Sequence, residues 1–202
     1  MKVQIVLFPG YDELDVIAPY EVLRNAARAG ADVQTELVTL DGAEETTAGH
    51  DLRVRTKGCL DRDARPDLLL VPGGGYAARA PQGAWAEAQR GELPAAIAAL
   101  HKAGTIIAAV CTGTMLLAAT GLTKGRPATT HHAALDDLRA SGAEVVEARV
   151  VDDGDVITSG GVTSGLDLAL WIVERFFGSQ VALAVERTME HERRGTVWRR
   201  PA

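Results

Sequence analysis

Three short apolar runs constrain this chain more than any other feature. They are "VQIVLF" (3–8), "DLLLVP" (67–72) and "TIIAAV" (105–110). Each is rich in Val, Ile or Leu with little polar alternation, as a strand covered on both faces requires. Each also stops abruptly, at Pro9 and Gly10, at Gly73 to Gly75, and at Cys111 to Gly113. Helix-forming stretches separate the runs: Leu14 to Ala29, Ala84 to Lys102 with breaks expected near Gly91 and Pro94, and Thr112 to Thr120 stopped by Gly121. Pro19 is compatible only with the first turn of its helix.

"TELVTL" (35–40) adds a strand, and the polar, glycine-broken stretch 42–58 reads as a short hairpin or loop excursion. Further on, "HAALDDLRASG" is a short helix and "EVVEARVVDDGDVITSG" two strands joined at "DDGD". Two helices follow, Leu166 to Phe177 and Gln180 to Arg193, split by Gly178. The alternation predicts one α/β domain over residues 1–202, a layered sandwich with a mostly parallel sheet and helices on both faces. Ligands of such sheets gather at the carboxyl ends of the strands. Here those ends are 9–15, 73–75 and 111–113.

Composition narrows the function. A net charge of −6 argues against a broad nucleic-acid surface. The local exception, "ERTMEHERRGTVWRR", interleaves its arginines with glutamates and reads as a solvated or subunit-facing helix end. No run of eighteen apolar residues is present, and acidic residues follow the first apolar stretch at once, so neither a membrane span nor a signal peptide is expected. The expectation is a cytoplasmic protein that binds no membrane. Cys59 and Cys111 lack CxxC or zinc-site spacing, and no disulfide, metal or cofactor is expected.

Cys111 has two readings, a small buried filler or a nucleophile. Ala109 and Gly113 flank it at the spacing of a nucleophile elbow, where small neighbours let the chain turn sharply. A thiol at a helix N-terminus is favoured as thiolate by unpaired N–H groups and the helix dipole. The Thr112 N–H could also receive charge developing on a substrate. Asp15 reads either as a helix cap or as an acid crossing to Cys111, its pKa raised by burial and a neighbouring thiolate. Gly73, Gly75 and Ala78 match the dinucleotide glycine pattern only loosely. They fit better a loop whose Gly74 or Gly75 N–H approaches a small-molecule substrate, or a plain glycine turn. His131 and His132 are either structural or one half of a Cys–His dyad.

The segments "LFPGYDELDVIAPYEVL", "LLLVPGGG", "AAVCTGTMLLAATGLTKGRPATTHH" and "ITSGGVTSGLDLALWIVERFFG" together resemble the DJ-1/PfpI superfamily, nearest its isocyanide hydratase branch. That resemblance implies a flavodoxin-like sheet, a nucleophilic Cys111 on a strand–helix elbow and a homodimer. It implies Asp15 as the catalytic acid, Thr112 as the residue whose hydroxyl bonds that acid, and Gly74, Gly75, Gly113 and His131 as residues bordering the substrate. The implied reaction is hydration of an isocyanide to an N-substituted formamide. Glyoxalase or hydrolase chemistry and a non-enzymatic redox sensor are the alternatives. Thr112 stands where the family's peptidases have His, and Asp15 where many glyoxalase-type members have Glu.

Overall fold

A computed structural model describes residues 1–60 and 65–200. The chain runs β1 (Lys2–Leu7), α1 (Glu13–Arg28), β2 (Gln34–Thr39), the hairpin β3 (Glu45–Thr47) and β4 (Arg53–Arg55), then β5 (Leu68–Val71). It continues with α2 (Ala84–Arg90), α3 (Glu92–Lys102), β6 (Ile106–Ala109), α4 (Gly113–Thr120), β7 (Pro127–Ala128), a 3-10 turn (His132–Ala134) and α5 (Leu135–Ala140). β8 (Glu144–Val145), β9 (Val150–Asp152), β10 (Val156–Ser159), α6 (Ser164–Phe177), α7 (Ser179–Met189) and β11 (Trp198–Arg199) complete it.

The main sheet has the order β11-β9-β10-β6-β5-β1-β2. From β2 to β10 every pairing is parallel, whereas β9 is antiparallel to β10. Helices α1, α6 and α7 pack together on one side, and α2, α3 and α4 on the other. Double coverage explains the unbroken apolar runs: all four residues of β5 are fully buried. The fold is flavodoxin-like. From β1 the chain steps outward to β2, then returns to β5 on the opposite side of β1. That reversal opens a crevice at the carboxyl ends of β1 and β5, where α/β sheets hold ligands.

Several boundaries differ from the sequence expectation. Asp12, not a later residue, caps α1 by accepting the Leu14 N–H at 3.1 Å. Pro19 therefore lies past the first turn, and the N–H it lacks would have bonded the carbonyl of Asp15. Of the two breaks expected between Ala84 and Lys102, Gly91, left-handed at φ 78°, makes one by ending α2 and beginning α3, whereas Pro94 falls in the first turn of α3 and makes none. The stretch expected as one strand before "DDGD" is two, because β8 leaves the main sheet to pair with β7. The last helix stops at Met189, where Glu190 turns left-handed at φ 49°. The arginine-rich tail beyond it is not a helix end; it returns to the sheet as β11.

Two glycines set how closely β5 and the start of α4 approach. A Cβ at Gly73 would meet the Thr112 nitrogen at 2.6 Å, and one at Gly113 would overlap the carbonyl oxygen of Val71. The strand–helix turn thus rests on the neighbouring strand backbone to backbone. Gly113→Ala is expected to lower stability by about 2 kcal/mol through overpacking. Urea unfolding should show a lower midpoint at unchanged slope, and a midpoint equal to wild type would refute the close-approach argument.

Candidate active site

Cys111 lies in the left-handed region at φ 56°, uncommon for a residue with a Cβ. Such a conformation costs on the order of 1–3 kcal/mol and persists only where its surroundings fix it. Both of its peptide groups are tied: its N–H donates to the Gly160 carbonyl at 3.0 Å, and its carbonyl accepts from Thr130 Oγ1 at 2.9 Å. Facing it, Val162 is also left-handed at φ 45°. The N–H groups of Val162 and Thr112 lie near enough to the Cys111 sulfur to lower its pKa. The turn aims two backbone donors at one sulfur atom.

Asp15 is the third residue of α1 and fully buried. The Gly73 N–H donates to its Oδ2 at 2.9 Å. The Cys111 thiol reaches the carboxyl closely enough to act on its ionisation. The contact is looser than a good hydrogen bond, since Oδ1 is buried with no conventional partner. The structure therefore brings Asp15 and Cys111 together, at the end of β1's loop and the end of β6.

Electrostatics overturn one expectation. Burial, then the charge of Asp12, pushes the Asp15 carboxyl up from 3.8 to about 8, against the Gly73 N–H and the Cys111 thiol. Burial, then the charge of Asp15, pushes the Cys111 thiol up to about 12, against the Val162 and Thr112 N–H groups. At neutral pH both groups hold their protons. Burial works against the ionised thiolate that a helix N-terminus favours, since the residue is 5 % exposed. Asp15 is protonated because it is buried, not because a thiolate lies beside it.

The remaining expected site residues divide. Thr112 N-caps α4, but its hydroxyl does not bond Asp15; it accepts the Gly74 N–H at 3.0 Å. Gly73 holds the acid in its place. The Gly74 amide is consequently occupied, whereas the Gly75 N–H has no hydrogen-bond partner among the described residues. Gly113 serves the close approach described above. His131 packs its ring over Gly161, and its Nδ1 accepts the Ala133 N–H at 3.2 Å, which places a neutral ring's proton on Nε2. Burial, then His132, lowers its pKa. It makes no hydrogen bond to Cys111, so the "TTH" segment meets the elbow through Thr130 instead.

A recess of about 360 Å³ opens at the glycine loop, lined by Tyr11, Asp12, His50, Gly74, Gly75 and Gln82 among others but not by Cys111 or Asp15. Glu13 and the His50 ring hold its rim at 2.6 Å. Tyr11, Asp12, Thr130 and Val162 are the residues that sequence reading missed. Asp12 and Tyr11 lay within the flagged strand-end segment; Val162 gave no signal, because only its backbone acts. Among the described residues no group of three or more His, Cys, Asp or Glu could hold a metal ion, and no helix is long and apolar enough to cross a membrane.

The DJ-1/PfpI family model matches residues 1–175. An isonitrile hydratase of Pseudomonas putida is 31% identical over 191 residues, covering 95% of this chain and 78% of that protein. A Parkinson disease protein 7 homolog of Danio rerio is also 31% identical, over 190 residues, covering 90% of this chain and 93% of its own. Among solved structures, a THiJ/PfpI family protein from Pseudomonas syringae superposes with a TM-score of 0.82 at 27% identity, covering 96% of this chain and 76% of that one. Equal identity to the first two leaves the choice of chemistry to the site.

The raised carboxyl has a consequence for stability. Between about pH 4 and pH 8 the folded chain keeps a proton on Asp15 that the unfolded chain has released, so stability falls as pH rises through that window. Asp15→Asn lacks this loss. Its melting temperature relative to wild type is expected to rise by several degrees from pH 5 to pH 8.5. A difference independent of pH would show that Asp15 ionises normally.

Proposed function

The chain belongs to the DJ-1/PfpI family, and on that premise we propose that it is a cysteine-dependent hydro-lyase of the isonitrile hydratase type, adding water to an organic isocyanide to give an N-substituted formamide. The observation that carries the reading is the pairing of Asp15, protonated at neutral pH, with the Cys111 thiol at the end of a parallel sheet. An isocyanide R–N≡C needs a nucleophile and a proton delivered to the same terminal carbon. A neutral thiol beside a neutral carboxylic acid supplies both.

Sulfur of Cys111 attacks the terminal carbon while Asp15 donates its proton to that carbon and the carboxyl takes up the thiol proton. The product is a thioimidate, R–N=CH–S–Cys111, and the pair is neutral again. The Val162 and Thr112 N–H groups, already directed at the sulfur, stabilise negative charge passing through it. Water adds to the C=N bond to give R–NH–CH(OH)–S–Cys111, and breaking the C–S bond releases R–NH–CHO and the thiol. The free Gly75 N–H is available to the substrate at the recess. No cofactor enters, and the substrate is a small molecule.

The raised pKa of the thiol disfavours the redox-sensor alternative, because peroxide oxidation proceeds through the thiolate. Thr112 in place of His removes the side chain a peptidase would use next to its cysteine. For the glyoxalase alternative the test is direct. Wild type is expected to convert benzyl isocyanide to N-benzylformamide, read by the formyl proton in NMR, and to leave methylglyoxal unconsumed. Cys111→Ala should abolish turnover and Asp15→Asn should lower kcat on the order of 100-fold or more. Near-normal turnover in either variant, or methylglyoxal consumption without formamide, overturns the assignment.

We further propose that a cytoplasmic homodimer is the working form. Leu14 and Leu52 are two of the few exposed large hydrophobics. They lie next to Glu13 and near His50, the ion pair at the rim of the recess, so a second copy seated there would cover them beside the site. Light scattering is expected to give twice the mass of the chain, and Leu52→Asp to give the single mass. A monomeric wild type would refute it.

A further inference from the structure

The arginine-rich tail takes no part in the chemistry proposed above, and the fold gives it another place. After Glu190 the chain folds back against α6 and adds β11 to the sheet beside β9. Between this strap and α6 lies a cavity of about 370 Å³. Helix α6 presents Asp167, Trp171 and Glu174 to it, spaced along one face. Val150 of β9 and Val197 of the strap extend the apolar wall begun by Trp171. Arg193, Arg194 and Arg199 complete the lining, the last two at its solvent-exposed side.

The charges at this cavity do not cancel. Asp167 is taken by Arg149 at 2.5 Å, by the His191 ring at 3.4 Å and by the Arg194 backbone N–H at 2.9 Å. Glu174 is taken by Arg193 at 2.5 Å, which also holds Glu186 at 2.6 Å. Asp167 is thus neutralised, while Glu174 shares the single charge of Arg193 with Glu186. Among the described residues, the side chains of Arg194 and Arg199 make no ion pair with a carboxylate. Arg199 lies over the Trp171 ring, 5.4 Å from its centroid. That stacking engages the face of the guanidinium and leaves its N–H edge for an anion.

We propose that this cavity binds a small organic carboxylate with an apolar body. Its carboxylate would lie on the Arg194 and Arg199 guanidinium groups, whose fork geometry matches two carboxylate oxygens. Its hydrocarbon would cover Trp171, Val150 and Val197. The volume suits a ligand of about a dozen non-hydrogen atoms. An inorganic anion would satisfy the arginines but leave the apolar wall uncovered. The site is built by residues separate from Asp15 and Cys111, so it stands or falls independently of the proposed reaction.

Isothermal titration of the full chain with phenylacetate, neutral phenylacetamide and inorganic phosphate tests this. Phenylacetate is expected to bind once per chain, and the amide and phosphate about tenfold or more weaker. Arg194→Gln and Arg199→Gln should each weaken phenylacetate about tenfold, Arg194→Lys should recover part of that loss, and Cys111→Ala should leave binding unchanged. Circular dichroism confirms that each variant is folded. No binding of phenylacetate, equal binding of the amide or of phosphate, wild-type affinity in the double Gln variant, or loss of binding in Cys111→Ala would each overturn the proposal.

Discussion

The backbone contact between the end of β5 and the start of α4 is the constraint on which the site depends. Gly73 and Gly113 have no side chain because there is no room for one: each Cα faces a main-chain atom of the other segment. This proximity lets the Gly73 N–H reach Asp15 and the Gly74 N–H reach Thr112, so one loop fixes both the acid and the residue after the cysteine. The left-handed turn at Cys111 is then held from three sides, by Gly160, Thr130 and the glycine loop. Strain of that size is sustained by packing and hydrogen bonds rather than by local sequence preference.

Competition between two electrostatic effects decides the chemical state of the pair. Helix N-termini typically favour an adjacent negative charge by about 0.3–1 kcal/mol. Raising the Cys111 thiol from 9.0 to about 12 corresponds to about 4 kcal/mol against thiolate. Burial, with the charge of Asp15 behind it, outweighs the donors near the sulfur, which moderate the shift without removing it. The same burial keeps Asp15 protonated. A chemistry that consumes a nucleophile and a proton together needs such a pair, whereas one needing a standing thiolate would call for an adjacent base or cation.

Most of the architecture was legible because doubly covered strands leave unbroken apolar runs, and the residues ending those runs mark the ligand side of the sheet. β1, β5 and β6 and their terminating glycines, with Cys111, followed from that pattern. What escaped has physical causes. β7, β8 and β11 are two residues long and carry no periodicity. The Asp12 cap competed with an equally plausible aspartate three residues on. Thr112 pairs with Gly74 rather than Asp15 because the glycine loop intrudes between them, a tertiary fact absent from local sequence. Val162 acts through its amide, for which any residue type would leave the same trace.

The charged tail shows why composition alone misplaces a segment. Interleaved arginines and glutamates along one helix would neutralise each other at neighbouring turns. Here the chain reverses at Glu190: Arg193 keeps one partner within the stretch, Glu186, and the others come from elsewhere, Glu174 on α6 for Arg193 and Asp153, between β9 and β10, for Arg200. Asp167, also on α6, is met by Arg149 from the loop before β9 and by His191 from the tail. Those pairs occupy Asp153 and Asp167, while Glu190 and Glu192 of the strap are exposed. Arg199 is left to an aromatic ring and Arg194 to solvent. Folding therefore turns a nearly balanced stretch of sequence into a locally cationic cavity with an apolar floor, on a chain whose net charge is −6.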